Sequence, residues 1–272
     1  MLAVTQDEVS NSRFSRITAD GKIVWRTEFI GPPPSRRTEQ LVDAKPPEYT
    51  EPQPFEVREP QAFLVEQEAG ATVAPHFHYV DQFQVIVSGD GILGRHPVSP
   101  LTVHFAGAHT GYGPIIPGSN GLSYFTFRAS ADETGAQYLP AASARMRKGQ
   151  RRNLVAKHLP VSSAASLLSR KQNEIDVGLE AEDGLSVQLL RIAPKSSLQL
   201  PEFSPGSGVS MLVAAGEVVF DGKHYGVWSC LYARQDETSP ELVAGVDGAE
   251  VLFLRYPRHA LTSRRATPAR DT

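Results

Sequence analysis

The residues best suited to chemistry lie in one stretch of the chain, GATVAPHFHYVDQFQVIVSG at positions 70–89. His76 and His78 are separated by a single residue, and Gln82 follows shortly after them. Alternate side chains of a β-strand point to the same face, so the two imidazoles project together and Phe77 points the other way. Neutral imidazole is a good ligand for first-row metals such as zinc, iron, copper and nickel. The pair therefore indicates a metal site on one face of a strand.

The spacing of this stretch resembles the first motif of the cupin superfamily. That motif is a glycine, five residues, HxH, three or four residues, a glutamate, six residues and a glycine. Here Gly70, His76, His78 and Gly89 match, and Gln82 stands where the family has glutamate. The resemblance implies that the two histidines and residue 82 bind one divalent transition metal inside a small β-barrel. It also implies that a histidine from a second motif completes the ligand set.

Two histidines compete for the place of this third ligand, because the family's second motif is not matched cleanly. His109, in GAHTGYGPII, follows a glycine-containing turn just before an expected strand, where the family has its last histidine. His104, in LTVHFA, faces the barrel interior if Val103 and Phe105 pack outward. The sequence favours His109 slightly and leaves the choice open.

The glutamine at position 82 changes the chemistry expected of the site. An amide oxygen would leave the full charge of the metal in place, so a bound water or substrate would be polarised more strongly. Alternatively, Gln82 lies behind the ligands and orients a histidine. Tyrosines 79, 112 and 124 flank the candidate ligands. Tyr112 is the candidate acid or base next to the metal, the alternative being that all three form the wall of the barrel mouth.

Turn-separated apolar segments predict an all-β chain of two tandem cupin-type double-stranded β-helix (jelly-roll) barrels with a proline-rich N-terminal arm. The expected boundaries are an arm over residues 1–60, a metal-binding barrel over 61–140, a linker over 141–184, a second barrel over 185–257 and a disordered tail over 258–272. Proline cannot donate a ladder hydrogen bond, so the arm is expected to wrap its own barrel or a second subunit. The sequence therefore leaves open whether two copies of the chain form a homodimer.

The two β regions overlay at an offset of 126 residues, which predicts two copies of one barrel. FQVIVSGDGIL meets VSMLVAAGEVV, and GLSYFTFR meets GAEVLFLR after one inserted residue. In this overlay every candidate ligand of the first copy is replaced in the second, and one carboxylate without imidazole neighbours is a poor site for a transition metal. His76, His78, Gln82, His104 and His109 meet Glu202, Ser204, Gly208, Cys230 and Gln235. The second barrel is therefore expected to be structural and without metal, with Cys230 as a small buried residue.

Composition narrows the choice of partners. The net charge of -3 and the pI near 6.2 give no electrostatic reason to expect nucleic acid or an anionic membrane as a partner. A single cysteine excludes an intramolecular disulfide, and neither a membrane-length apolar run nor a signal peptide is apparent. We expect a cytoplasmic protein.

Fold alone does not determine function among cupins. The resemblance and the incomplete imidazole ligand set predict a metalloenzyme that acts on a small organic substrate, with a dioxygenase as the leading reaction type. The metal expected is iron, manganese, nickel or zinc. The alternatives are a metal-dependent isomerase or lyase and a non-catalytic binding or sensor protein that uses the same pocket.

Overall fold

The computed structural model describes residues 1–18, 21–31, 59–132, 134–149, 151–201, 203, 208–234, 237 and 239–258. Residues 32–58, which contain most of the arm's prolines, and nearly all of the predicted tail lie outside these residues. So do three members of the overlay, Glu202, Ser204 and Gln235.

The described chain is almost entirely β-structure, as predicted. Its single α-helix, α1 (Ala164–Ser169), has two turns at most, and short 3-10 helices cover Asp7–Ser12 and Ser143–Arg145. No helix in the described part of the chain has the length and apolar character needed to span a bilayer. The strands are β1 (Leu2–Val4), β2 (Arg13–Ile17), β3 (Ile23–Ile30), β4 (Gln61–Gln67), β5 (His76–Phe77), β6 (Gln82–Leu93), β7 (His96–Val98), β8 (Val103–Ala106), β9 (Ile115–Arg128), β10 (Gln137–Tyr138), β11 (Asn153–Val155), β12 (Glu174–Glu180), β13 (Ser186–Ile192), β14 (Ser197–Gln199), β15 (Val209–Phe220), β16 (Lys223–Tyr225), β17 (Cys230–Ala233) and β18 (Glu241–Arg255).

These strands form two eight-stranded antiparallel sheets with the same internal order. The first runs β11-β8-β6-β9-β4-β3-β2, with β7 paired to β6. The second runs β1-β17-β15-β18-β13-β12, with β16 paired to β15 and β14 paired to β18. A further pair, β5 with β10, lies at the first sheet. The order β8-β6-β9-β4-β3 of the first sheet is repeated as β17-β15-β18-β13-β12 in the second, so the topology agrees with two tandem barrels.

The N-terminal residues contribute to both sheets. β1 pairs with β17 in the second sheet, while β2 and β3 extend the first sheet beyond β4. The region between the barrels also takes part, because β11 pairs with β8 and β12 pairs with β13. Described residues of the predicted arm and linker are therefore integral to the two sheets.

A large apolar layer lies where the two sheets face each other. Phe83, Phe105 and Phe127 of the first sheet belong to the same buried cluster as Leu212 and Leu252 of the second. Cys230 is fully buried in this layer. Burial raises the pKa of its thiol well above the ordinary value, which agrees with an inert packing role.

The two barrel interiors differ in polarity. The interior of the second barrel is an apolar cluster that includes Val209, Met211, Leu231 and Phe253. Strand register aligns Gln82 with Val209, because each lies opposite an alanine, Ala106 or Ala233. By the same register, Gln84 corresponds to Met211 and His104 to Leu231. The sequence overlay, which paired Gln82 with Gly208 and His104 with Cys230, is thus displaced by one residue on these strands.

Glycine at the end of the motif is required by close backbone contact. Gly89 has a φ of +73°, and a Cβ atom placed on it would lie 2.1 Å from the carbonyl oxygen of Gly121. Gly216 repeats this contact in the second barrel, where its Cβ would lie 2.0 Å from the Gly248 oxygen. In both sheets the ladder shifts register next to this glycine. The paired long strands can bend at these points only because no side chain is present.

We expect Gly89→Ala and Gly216→Ala each to destabilise the protein by roughly 3 kcal/mol or more, since the new methyl group meets backbone that cannot move aside. Gly222→Ala is the matched control, because Gly222 has the same φ of +73° but nothing within 4 Å of its Cβ position. Its cost should be only about 1–2 kcal/mol, the strain of the left-handed conformation. Urea denaturation measures all three. Equal losses at the three positions would contradict the contact argument.

Candidate metal centre

His76 and His78 lie at the start of the first barrel's polar interior, on and just after the short strand β5. The backbone of His76 is bonded to Tyr112 in both directions, at 3.1 and 3.0 Å, and it also pairs with Tyr138 of β10. Both histidines are buried. Their ring centroids are 5.2 Å apart with an interplanar angle of 88°. The structure therefore brings this predicted pair together.

In each of these imidazoles, Nδ1 lies within hydrogen-bond distance of an acceptor oxygen. His76 Nδ1 lies 2.8 Å from the carbonyl oxygen of Ala74, and His78 Nδ1 lies 2.6 Å from Oδ2 of Asp132. If Nδ1 carries the proton in both rings, Nε2 is left with its lone pair. This arrangement, with a carbonyl or carboxylate behind the ring, is typical of metal-bound histidine.

Burial keeps both rings neutral. Burial, with a smaller contribution from the positive charge of Arg128, lowers the pKa of His76 to about 4 and that of His78 to about 3. Burial acts to raise the pKa of Asp132, but the hydrogen bonds from His78 and Thr134 and the positive charge of Arg128 together outweigh it, so the pKa lies below its ordinary value. At neutral pH both imidazoles are thus neutral, and the carboxylate behind His78 is ionised. Metal ligation requires the imidazole in this neutral form.

Tyr112 lies between the candidate ligands. Its hydroxyl donates to Nε2 of His76 at 2.6 Å and accepts a hydrogen bond from Nε2 of Gln82 at 2.5 Å. Burial raises the pKa of this phenol above its ordinary value, so the group keeps its proton. Tyr112 is therefore in direct contact with one candidate ligand, and its role as an acid or base stays a prediction.

The side chain of Gln82 faces two partners. Its oxygen accepts from Nε and Nη2 of Arg128, at 3.1 and 2.9 Å, and its amide nitrogen is directed to Tyr112. The strongly donating guanidinium determines which way the amide is turned. In this arrangement Gln82 orients the Tyr112 hydroxyl toward His76. Direct ligation by Gln82 stays a prediction that would require its oxygen to leave Arg128.

Arg128 is the main residue of the site that sequence reasoning missed. It is buried at the end of β9, and its Nη1 donates to Gln61 at 2.8 Å. Its Nη2 lies 3.2 and 3.3 Å from the two ring nitrogens of His78. An atom almost equidistant from both nitrogens lies over the ring face, so the guanidinium does not occupy the in-plane lone pair of Nε2.

A signal for Arg128 was present in the sequence. Both overlaid segments, GLSYFTFR and GAEVLFLR, end in arginine, and alternation places Arg128 on the same face as Thr126 and Tyr124. Asp132 had no comparable signal, because it lies in a loop whose path depends on the fold.

His104 faces the barrel interior but is bonded elsewhere. Its Nδ1 lies 2.9 Å from Oε1 of Gln84 and its Nε2 lies 2.8 Å from Oδ1 of Asn153. Burial lowers its pKa to about 4, so the ring is neutral and has a single N–H. One of the two amides must therefore turn its nitrogen toward the ring, because a neutral imidazole has one donor and one acceptor nitrogen. The ring centroid is 5.3 Å from that of Tyr112.

His109 lies on the other side of the motif strand. It has a φ of +59°, and its ring stacks on Phe77 at 5.8 Å and contacts Tyr79 edge-on at 5.0 Å. Its Nδ1 accepts from the backbone N–H of Arg147 at 3.3 Å. Because Phe77 and Tyr79 alternate with the two motif histidines, His109 is on the opposite face from them. The structure does not bring it together with His76 and His78, and its role as a ligand stays a prediction.

His76 and His78 offer two imidazole nitrogens, a kind of donor that divalent transition metals accept. Within the described residues, no group of three histidine, cysteine, aspartate or glutamate side chains is arranged to hold a metal ion. The further donor atom in contact with this pair is the Tyr112 oxygen. The available set is therefore two imidazole nitrogens and a phenol oxygen, with Gln82 and Arg128 behind them.

No protein-family profile matches this sequence, and no curated protein matches it either. Solved structures do resemble the fold. A candidate dioxygenase from Nostoc punctiforme superposes with a TM-score of 0.58 at 14% identity, covering 92% of this chain and 81% of its own. An Escherichia coli pirin in complex with nickel(II) gives 0.52 at 12% identity, covering 95% and 99%. A Bacillus subtilis oxalate decarboxylase variant gives 0.53 at 9% identity, covering 93% and 77%.

These neighbours are cupin-fold proteins, so the chain has a cupin-type fold built from two jelly-roll units. At identities of this size the likeness establishes the fold and leaves activity to the site itself.

We expect the protein to lose stability in mild acid, because its buried histidines are neutral in the folded state. Their folded-state pKa values lie below the ordinary 6.5, so the unfolded chain takes up protons first as pH falls. The contribution of these neutral rings to the free energy of unfolding is fully present above about pH 6.5. It declines toward pH 4, by up to ~1.4 kcal/mol per pH unit for each histidine.

His104→Gln should flatten this decline by one histidine's share, while the exposed His96→Gln should leave it unchanged. Urea denaturation between pH 7 and 4.5 measures the slopes. Identical slopes for His104→Gln and the parent protein would show that His104 does not titrate as its burial requires.

Proposed function

We propose that the first barrel holds one divalent transition metal on His76 and His78, with the Tyr112 oxygen as a further donor. We propose further that the chain is a cupin-type metalloenzyme acting on a small organic molecule, with a dioxygenase as the leading reaction type. One observation carries the proposal. Two buried, neutral imidazoles have their Nδ1 atoms against Ala74 and Asp132, which directs both Nε2 atoms toward the barrel interior, where the Tyr112 hydroxyl lies against that of His76.

The residues of the chain have separate tasks in this proposal. Ala74 and Asp132 orient the two rings, and burial keeps water away from them. Tyr112 holds a proton on its oxygen, next to His76 Nε2, from where it can be given to or taken from a bound molecule. When bound, the metal would supply Lewis acidity and, as iron, chemistry with molecular oxygen.

The structural neighbours support the metal assignment at the level of the fold. The pirin is described with nickel(II), one oxalate decarboxylase with Mn(II) centres, and the protein from Nostoc punctiforme as a candidate dioxygenase. Iron, manganese, nickel and zinc all accept imidazole nitrogen, so these donors do not choose among them.

The second barrel has a structural role in this proposal. At the described positions that correspond to Gln82, Gln84 and His104 it has Val209, Met211 and Leu231, which pack into its apolar interior. Apolar side chains offer a metal no ligand, so a single metal in the first barrel is expected. The pairing of two chains into a homodimer stays a prediction.

A non-catalytic binding protein is the second candidate, and the position of Tyr112 favours it. The Tyr112 hydroxyl already satisfies Nε2 of His76, and Arg128 places a positive charge over His78. A pocket with these contacts could hold an organic ligand without a metal.

Metal content tests the proposal directly. The double variant His76→Ala/His78→Ala should lose bound metal after loading of the apo-protein with Fe(II), Mn(II), Ni(II) or Zn(II). His96→Ala, which removes an exposed imidazole, should retain it. Elemental analysis after gel filtration gives the result, and full metal retention in the double variant would refute the site.

Asp132→Asn should weaken metal binding by roughly 10–100-fold, because the amide supports the His78 ring less well than the carboxylate does. The exposed Asp90→Asn controls for loss of one negative charge. Competition against a chelator measures both affinities. An unchanged metal affinity in Asp132→Asn would show that Asp132 does not support metal binding.

Turnover distinguishes the two candidate functions. Metal-loaded protein is screened with catechols, flavonols, diketones and organic acids while oxygen uptake is followed. The enzyme proposal expects turnover that disappears in His78→Ala. Tight ligand binding without turnover under any of the four metals would favour the binding protein.

A further inference from the structure

A polar cleft of about 220 Å³ lies on the outside of the first barrel, away from the candidate metal ligands. Its lining is an aromatic ring with polar side chains around it, from Trp25, Glu66, Glu68, Ser88, Asn120 and Ser123. Val65 and Tyr124 belong to the buried interior cluster that includes Tyr112. Since alternate residues of a strand point to opposite faces, their neighbours Glu66 and Ser123 project outward. The cleft is therefore separate from the interior of the barrel.

Strand register places four of these side chains in one row. Trp25 of β3 lies opposite Glu66 of β4, which in turn lies opposite Ser123 of β9. Ser123 lies opposite Ser88 of β6. Directly opposed residues project from the same face of a sheet, so the row crosses four neighbouring strands. The ladder shifts register on both sides of Ser88, which places the row at a bend of the sheet.

Arg13 positions the aromatic end of this row. Its guanidinium carbon lies 4.0 Å from the centroid of the Trp25 ring, and its Nε donates to Oε2 of Glu66 at 3.0 Å. The charge of Glu66 is thereby balanced. Glu68 is held as well, because its Oε1 accepts from the backbone N–H of Ile23 at 2.7 Å. The ring and both carboxylates are thus in place before any ligand arrives, which lowers the cost of ordering them on binding.

The other polar side chains of the cleft have hydrogen-bonding capacity left over. Ser88, Asn120 and Ser123 form no side-chain hydrogen bond with the described residues, and Oε2 of Glu68 accepts none from them. Hydroxyl and amide groups both donate and accept, whereas a carboxylate accepts only. A ligand with several hydroxyl groups can therefore bond to all of them. An anion would meet the two carboxylates, and an apolar molecule would leave the polar groups without partners.

The corresponding face of the second barrel is covered by the chain itself. Strand register aligns Glu250 of β18 with Ser123, because their partners on β13 and β4 correspond. Glu250 is fully buried under the segment 160–170. It accepts from the backbone N–H of Ser162 at 2.8 Å and from Nη2 of Arg170 at 2.9 Å. In this copy of the fold the face therefore binds a polar segment.

The first barrel lacks such a cover in the part of the chain that the structure describes. In the second barrel, a methyl carbon of Leu167 lies 3.4 Å from the Cβ position of Gly248. Gly121 is the counterpart of Gly248, and the three atoms nearest its Cβ position belong to the backbone of Gln67 and Glu68. The residues before β3 form β2 and pair along the edge of the sheet instead. The same face is thus closed by the chain in one barrel and open as a cleft in the other.

We propose that this cleft binds a neutral polyhydroxylated molecule of the size of one sugar ring. The C–H groups of the ring pack against Trp25, and the hydroxyl groups bond to Glu68, Ser88, Asn120 and Ser123. Pockets for drug-sized ligands measure roughly 300–1,000 Å³, so a cleft of about 220 Å³ suits a smaller molecule. The inference goes beyond the proposed function and does not depend on a metal.

NMR spectroscopy of the indole N–H signals tests the inference on the wild-type protein, treated with a chelator so that metal plays no part. The chain has two tryptophans, and Trp25→Phe identifies the signal of Trp25. The probes are the methyl glycosides of glucose, galactose and mannose. At least one should shift the Trp25 signal with a dissociation constant on the order of 1 mM, as expected for a ligand of this size.

The double variant Ser88→Ala/Ser123→Ala removes two hydroxyl partners and should weaken binding of that glycoside by roughly 10-fold or more, since each lost hydrogen bond costs about 2–10-fold. Ser119→Ala is the matched control, because Ser119 is exposed on the same strand but does not line the cleft. Its affinity should equal that of the parent protein. Equal affinity in the double variant would place the binding elsewhere and refute the inference.

The wild-type titration decides the matter if the double variant fails to fold. A Trp25 signal that none of the three glycosides shifts, at concentrations far above the expected dissociation constant, overturns the inference. Tetramethylammonium is titrated in parallel as a cationic probe. A shift caused by this cation and by no glycoside assigns the cleft to a cation and also overturns the inference.

Discussion

The antiparallel pairing of β6 with β9 is the contact on which the rest of this structure depends. It sets Phe83 opposite Phe127 and Gln84 opposite Thr126, so each strand has one face toward the second barrel and one toward the interior. A register slip of one residue would exchange those faces and place polar side chains in the apolar layer. The close approach of Gly89 to Gly121 locks the register at the point where the ladder bends. β15 and β18 make the same close glycine contact at a bend of the ladder in the second barrel.

The two barrels use one architecture for different purposes because their interiors differ chemically. In the second, valine, methionine, leucine and phenylalanine fill the space, and burial of apolar surface stabilises the unit. In the first barrel, polar groups occupy the corresponding positions and must form hydrogen bonds with one another. Arg128 donates to Gln82, Gln82 to Tyr112, and Tyr112 to His76, so each group is hydrogen-bonded in a single consistent direction. Such an interior contributes less to stability than an apolar one, which agrees with the proposal that the polar groups hold a ligand.

Charge is the property that distinguishes this site from a simple set of metal ligands. With glutamine in place of glutamate at position 82, the motif itself supplies no negative charge. Arg128 adds a positive one, and Asp132 stands behind a histidine and not beside the metal position. Gln82 and Arg128 therefore belong together, because the amide oxygen accepts from the guanidinium without cancelling its positive charge.

The sequence by itself determined the β class, the two tandem repeats and the face shared by His76 and His78, because strand alternation and turn residues are local properties. It also showed that the second copy lacks the histidines of the first. Only the tertiary structure decided which other groups reach that face. His109 is near in sequence but lies with Phe77 on the opposite side, since its backbone bond to the His78 carbonyl and its left-handed conformation turn it away. Arg128 and Asp132 are distant in sequence and meet His78 because β9 and the loop after it close over β5. Contacts of that kind depend on how strands from separate parts of the chain are arranged, and no local pattern encodes that arrangement.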